Sequence, residues 1–256
     1  MNIAVITGAS SGIGREFALT LKNHGTFDEV WVIARNEEKL KALQNEVPFP
    51  VRPISMDLSD PGSINAMDGI LKKDSPNVKL LINASGYGKF DKVERLSMED
   101  DLGMIDLNCR ALVAMTKLIL PYMHEGGRII EVASVAAFQP IPYINVYGAS
   151  KAFVLSFSRA LNREVRSRGI HVMALCPFWT KTAFFDRAIK KDEETVVKKY
   201  AAMYDKEFIV KTAWKALESK KDHVVPGFKA KAQVALVKIL PHSMVMSIWM
   251  KQQKLK

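Results

Sequence analysis

Tyr147-Gly148-Ala149-Ser150-Lys151 is the stretch whose reading decides the rest of the chain. A tyrosine and a lysine four residues apart lie on one face of a helix, a turn from each other. Downstream, Phe153, Val154, Phe157, Ala160, Leu161 and Val165 recur at helical spacing, which predicts a helix with the pair near its N-terminus. A free phenol titrates at about pH 10, too high for ready proton exchange at neutral pH. A neighbouring ammonium and the positive end of a helix both favour the phenolate. The expectation is a lowered pKa and a general acid/base able to protonate a developing alkoxide. In isolation, the same spacing fits a half-buried tyrosine beside a solvated lysine, so context decides.

That context begins at the N-terminus. Residues 2–7 are an apolar run of strand length, followed by Gly8-Ala9-Ser10-Ser11-Gly12-Ile13-Gly14 and a helical segment from residue 15 to about 24. Strand, glycine loop and helix make the nucleotide-binding start of a doubly wound sheet, where glycines admit the pyrophosphate and the helix end supplies N–H groups. The next strand, 29–34, ends in Arg35. An NAD site places an acid there for the ribose 2′-hydroxyl, whereas arginine suits a 2′-phosphate. Arg35, with Arg15 and Ser10, therefore argues for NADP(H).

A third strand, 51–55, is closed by Asp57-Leu58; a fourth, 79–83, opens into Asn83-Ala84-Ser85-Gly86. Asp57 is open to two roles, accepting from the adenine amino group or capping the helix after Asp60. Helices are predicted over 97–106 and 111–123, with Asn108 between or within them. A fifth strand, 128–132, leads to Ser134. After the tyrosine helix come a sixth strand, 170–175, then Pro177-Phe178-Trp179-Thr180-Lys181-Thr182, and a short strand at 223–225. Alternating strands and helices predict an α/β fold, a parallel sheet covered on both faces, in one domain spanning 1–256.

Composition narrows the function. The chain has 256 residues and a net charge of +10; after Asp222 it has no acid, only Lys229, Lys231, Lys238, Lys251, Lys254 and Lys256. No nucleic-acid motif accompanies the charge, which fits an anionic substrate, cofactor or membrane surface better. Cys109 and Cys176 are far apart and lack metal spacing, the five histidines are dispersed, and no leader or spanning run is visible. Reduced thiols, no metal and a cytoplasmic setting are expected.

With Gly8–Gly14, Asn83–Gly86, Asn108, Ser134 and Tyr147/Lys151 in this order, the chain resembles a classical short-chain dehydrogenase/reductase from the first strand to about Thr182. The resemblance implies a Rossmann-like sheet of order 3-2-1-4-5-6-7 and interconversion of a ketone and a secondary alcohol. It implies that Ser134 bonds the substrate carbonyl and Tyr147 donates the proton. Lys151 would lower the tyrosine pKa and hold the nicotinamide ribose, and Asn108 would anchor a water leading to it. Thr182 matches the family's threonine at the carboxamide, beside Pro177 and Thr180, while Phe178 replaces the usual glycine. A lid over about 178–204 is implied, with Phe178, Trp179, Phe184 and Phe185 beneath it and the charged run 190–199 as its solvated face. A homodimer or homotetramer through the helices carrying 111–123 and 153–166 is implied too.

The C-terminal segment, about 228–253, reads as two apolar helices parted by Pro241. It either packs on the domain or a neighbouring subunit, or covers the cleft or touches a membrane; the latter two favour a lipophilic substrate such as a ketoacyl chain or a steroid. Two other classes stand beside the enzyme reading. One is a catalytically silent NADP-binding regulator, against which the intact Ser134/Tyr147/Lys151 set counts. The other is an epimerase or dehydratase with a larger C-terminal domain than this chain offers.

Overall fold

Runs of valine, isoleucine and leucine form parallel strands here because both of their faces are covered. In the computed structural model, which describes residues 1–188 and 196–255, the strands are β1 (Asn2–Thr7), β2 (Glu29–Ala34), β3 (Val51–Ser55), β4 (Asn77–Asn83), β5 (Arg128–Val132), β6 (His171–Leu175), β7 (Thr180–Lys181), β8 (Tyr204–Asp205) and β9 (His223–Val224). The main sheet has the order β3-β2-β1-β4-β5-β6-β9, all parallel. That is the expected order, with β9 as the seventh strand; β7 and β8 form a separate parallel pair. β3 contains Pro53 and lies at the sheet edge, where a missing N–H is tolerated.

The helices are α1 (Gly12–Thr20), α2 (Glu37–Ala42), α3 (Pro61–Asp74), α4 (Met98–Ile105), α5 (Leu112–Ile119), α6 (Asn145–Glu164), α7 (Phe184–Ala188), α8 (Lys206–Glu218), α9 (Phe228–Val237) and α10 (His242–Gln253). Successive strand residues point to opposite faces, and two cores follow. Ala4, Ile6, Val30, Val32, Leu80, Ile82 and Ile130 pack on one face against Phe17 of α1 and Trp214 of α8. Ile3, Val5, Trp31, Ile33, Leu81 and Ile129 pack on the other against Met67, Met115 and Leu161 of α3, α5 and α6. Trp214 fixes α8 to α1, edge-on to Phe17 at 5.2 Å with its Nε1 donating to Thr20 Oγ1 at 2.9 Å.

Two expectations are refined here. Asp60, not Asp57, caps α3: its carboxylate accepts from Gly62 N and Ser63 N, and Pro61 occupies the first helical position. The helices expected at 97–106 and 111–123 form one run in which a π-helical turn, Asp106–Ala111, joins α4 to α5. That turn carries Asn108 and re-aims it, a common use of π geometry.

Thr7 pairs with Ile33 on one side and Asn83 on the other, so β1, β2 and β4 end level. Their following loops meet where the strand order reverses, the ligand-binding edge of such sheets. Cys109 and Cys176 are free thiols. Among the described residues no cluster of metal-ligating side chains occurs, and no helix is long and apolar enough to cross a membrane. The charged run 190–194 and Lys256 lie outside the described residues.

Candidate active site

A cleft of about 980 Å³ runs along the carboxyl edge of the sheet. Its first end is the glycine loop. Gly8 has φ +68°, and a Cβ there would meet Ala84 C, Ala84 O and Ser85 N at 2.8 Å. A Cβ on Gly14 would meet the Gly8 carbonyl oxygen at 2.5 Å, so the loop closes on α1 only with glycine. Thr7 Oγ1 accepts from Ala84 N and Ser85 N, both at 3.1 Å, tying the loops after β1 and β4 together. The result is a backbone-lined concavity at the N-terminus of α1, which suits a dinucleotide pyrophosphate.

Most of the sequence-predicted residues meet in this cleft. Gly8, Ser10, Ser11, Gly12, Ile13, Gly14, Arg35, Asp57, Leu58, Ala84, Ser85 and Gly86 line the glycine-loop end. Ser134, Tyr147, Lys151, Pro177, Thr180 and Thr182 line the middle, with Phe178, Trp179, Phe184 and Phe185 toward the far end. Three do not line it. Arg15 extends from α1 into an ion pair with Glu46, away from the cleft. Asn83 is buried, its Nδ2 donating to Thr116 Oγ1 at 2.9 Å and to Glu131 Oε1 at 3.2 Å. Asn108 is fully buried: Oδ1 accepts from Tyr87 N at 3.0 Å, while Nδ2 donates to Tyr87 O at 2.9 Å and Ser150 Oγ at 3.0 Å. Its amide thus ties the loop after β4 to α6, one residue before Lys151.

Arg35 is exposed at the end of β2, 3.7 Å from the Asp57 carboxylate. Asp57 also accepts from Ser59 N and Ser59 Oγ. The cation at the sheet edge therefore already has an anion beside it.

In the middle of the cleft, Ser134 and Tyr147 both line the wall, and the Ser134 hydroxyl donates to the Pro177 carbonyl at 3.5 Å. Its Oγ also accepts from Ala136 N at 3.1 Å, which fixes the side chain. Lys151 is buried, and its Nζ donates to the Val132 carbonyl at 2.8 Å. The phenol does not have the lowered pKa expected from spacing alone. Burial pushes Tyr147 up to about 12, and the hydrogen bond with Ser134 opposes that rise. Burial likewise pulls Lys151 down to about 8. Removing either charge from water costs more than the local partners return.

The far end is aromatic. Phe90 stands 5.9 Å from Tyr147, 6.0 Å from Phe184 and 6.2 Å from Trp179, ring to ring. Trp179 packs edge-on to Tyr200 at 5.1 Å. Leu236 and Val237 of α9, and Val245, Ile248 and Trp249 of α10, complete this end. The C-terminal segment is therefore a wall of the cleft. Of the segment expected to lie over it, 178–204, residues 178–188 and 196–204 are described.

Tyr200 falls in the expected lid span and Trp249 in the C-terminal segment expected to pack or to cover the cleft, whereas Phe90 and Gln253 are cleft residues that the sequence does not single out. Phe90 sits in a loop with no periodicity, and no local signal marks it.

The fold and cleft define a doubly wound α/β protein with a nucleotide cradle at its switch point. The family model described as short chain dehydrogenase matches residues 2–193. The NADP-dependent 3-hydroxy acid dehydrogenase YdfG of Salmonella typhi is 32% identical over 202 residues, 77% of this chain and 81% of that protein. The very-long-chain 3-oxoacyl-CoA reductase of Rattus norvegicus is 31% identical over 195 residues, 70% of this chain and 59% of that one. A solved short-chain dehydrogenase from Sphingobium yanoikuyae, in complex with NADPH, superposes with a TM-score of 0.77 at 26% identity, over 95% of this chain and 98% of that one. The chain belongs to the short-chain dehydrogenase/reductase family, oxidoreductases that act on CH–OH groups.

Proposed function

We propose that the protein is an NADP(H)-dependent oxidoreductase that interconverts a lipophilic ketone and its secondary alcohol. The observation that carries this reading is the meeting of Ser134, Tyr147 and Lys151 in the middle of one cleft, between a glycine-lined cradle and an aromatic chamber. A nicotinamide cofactor, held by the glycine loop and the residues along the middle of the cleft, would supply hydride chemistry there. Ser134 holds the carbonyl oxygen by its hydroxyl. Tyr147, like any phenol protonated at neutral pH and held more firmly so by burial, gives its proton to that oxygen as charge develops. The ammonium of Lys151 adds positive potential beneath the site. In the reverse direction the same phenol takes the proton back.

Arg35 and the absence of an acid at the end of β2 support NADP(H), as do the names of two relatives that specify NADP and NADPH, while other structures of this fold hold NAD or NADH. A 2′-phosphate would compete with Asp57 for the guanidinium, gaining charge-assisted hydrogen bonds. Phe90, Trp179, Phe184, Tyr200 and Trp249 support a lipophilic substrate, as does a relative named for very-long-chain 3-oxoacyl-CoA. The reading of a silent NADP-binding regulator has no observation in its favour.

The test is turnover of a ketone panel with NADPH and with NADH. The reading predicts kcat/KM that rises with apolar chain length and favours NADPH. Preference for NADH, or for small polar ketones, contradicts it.

Assembly belongs to the same proposal. The apolar side chains of α5 point mostly inward, whereas Met98, Leu102 and Ile105 of α4 and Phe153 of α6 are exposed. α4 packs beside α6. Pairing of these helices with a second copy would cover the exposed apolar face. Light scattering at micromolar concentration should give a dimer or tetramer; a monomer would contradict this part.

A further inference from the structure

Gln253, in the last turn of α10, is a polar side chain with only 1% of its surface exposed. Its amide is used on both sides against one remote stretch of backbone. Oε1 accepts from Lys198 N at 2.8 Å and Lys199 N at 2.9 Å, and Nε2 donates to Lys199 O at 2.9 Å. The side chain thus does for this segment what a neighbouring strand does for an edge, accepting and donating in register. A buried amide left unsatisfied is costly, so the three bonds fix where the segment sits. Few side chains could replace it. Glutamate keeps the acceptors but loses the donor, and asparagine is a methylene short.

The next residue is Tyr200. Its ring stands 5.1 Å from Trp179 and 5.5 Å from Phe185, edge-on to both, and all three line the apolar end of the cleft. One turn earlier on α10, Trp249 Nε1 donates to the Pro142 carbonyl at 3.0 Å, in the loop that leads into α6 and Tyr147. α10 therefore grips both sides of the chamber, the Pro142 loop through Trp249 and the Lys198–Tyr200 segment through Gln253. A glutamine that merely packed a helix end would have no need to spend its whole amide on the backbone that positions a cleft tyrosine.

We propose that Gln253 is a positioning residue for substrate selectivity: by fixing Tyr200 against Trp179 it sets the size of the apolar chamber and favours long apolar ketones over short ones. This rests on reading the cleft as a ketone site. A short ketone is held mainly at Ser134 and Tyr147. A long one also needs the chamber wall, and binding energy from that wall is what Gln253 controls.

The test uses the full-length Gln253→Ala, Gln253→Glu and Tyr200→Ala proteins with NADPH, a long-chain methyl ketone and butanone. Gln253→Ala should lower the long-over-short ratio of kcat/KM by about tenfold, with the change carried by KM. Gln253→Glu should fall between it and the wild type. Tyr200→Ala, which leaves α10 untouched, should reproduce the loss even where Gln253→Ala folds poorly. Equal losses on both ketones, an unaltered ratio, or a change carried by kcat would overturn the proposal. Calorimetric binding of the long-chain ketone separates this from the functional reading. A wild type that binds the ketone more tightly than the variants but does not reduce it contradicts only the activity. Equal affinity in wild type and variants contradicts the role of Gln253, whatever the turnover.

Discussion

Lys151 Nζ lies 5.8 Å from the centroid of the Tyr147 ring and donates instead to the carbonyl of Val132, at the end of β5. The ammonium therefore faces the ring of Tyr147 and makes no direct bond to its hydroxyl, while a backbone oxygen anchors it. Burial dominates both groups, raising the phenol to about 12 and lowering the amine to about 8.

A pH dependence follows. Below about pH 8 Lys151 is charged; above it the positive potential under the site is lost. The kcat/KM of ketone reduction should fall as pH rises through about 8, since this profile reports groups of the free enzyme. Lys151→Arg, which keeps its charge to above about pH 12, should shift the fall upward or abolish it. A wild-type profile flat across that window would contradict the assignment.

How much of this was legible beforehand depended on burial. Strands buried on both faces read as apolar runs, so β1, β2 and β4 follow from pattern, whereas the sheet order rests on the resemblance to the family. The Tyr147–Lys151 spacing puts both residues on one helix face in the cleft, but the sign of the pKa shift does not follow from spacing, because depth is a tertiary property. Arg15 was assigned to the cofactor by proximity in sequence; which way a side chain leaves α1 is set by Glu46, far along the chain. Asn108 was recognised, but its hold on Tyr87 and Ser150 depends on a π turn that propensity does not signal. Nothing in the sequence marks Gln253, because its partners are backbone groups at Lys198 and Lys199, far back along the chain.

Glu131 gives a stability test. It lies in mid-strand, fully buried, with Oε1 accepting from Thr116 Oγ1 at 2.8 Å, while its Oε2 has no partner among the described residues. Burial raises its pKa from 4.5 to about 7, opposed by the bonds from Thr116 and Asn83. A raised folded-state pKa contributes stability that is present below the unfolded value and lost as pH rises through the folded one. The stability of Glu131→Gln relative to wild type should thus improve between about pH 5 and about pH 8.5, by on the order of 1–3 kcal/mol. Denaturant titrations at the two pH values check this; a constant difference would contradict it.

Arg35 tests cofactor choice. Arg35→Asp places a second carboxylate beside Asp57, where a 2′-phosphate would have to approach. The NADPH-over-NADH ratio of kcat/KM should fall by about tenfold or more, mostly through the KM for NADPH. An unaltered ratio would remove Arg35 from the cofactor site.

The central claim is that the Tyr147 hydroxyl delivers the proton. Tyr147→Phe keeps the ring against Phe90 and Phe184 and removes only that hydroxyl. The most direct measurement is kcat for a lipophilic ketone with NADPH, alongside the NADPH dissociation constant from fluorescence. The account predicts a loss in kcat of about 10²–10⁴-fold with cofactor affinity nearly unchanged. A Tyr147→Phe protein that turns over at close to the wild-type rate would contradict it.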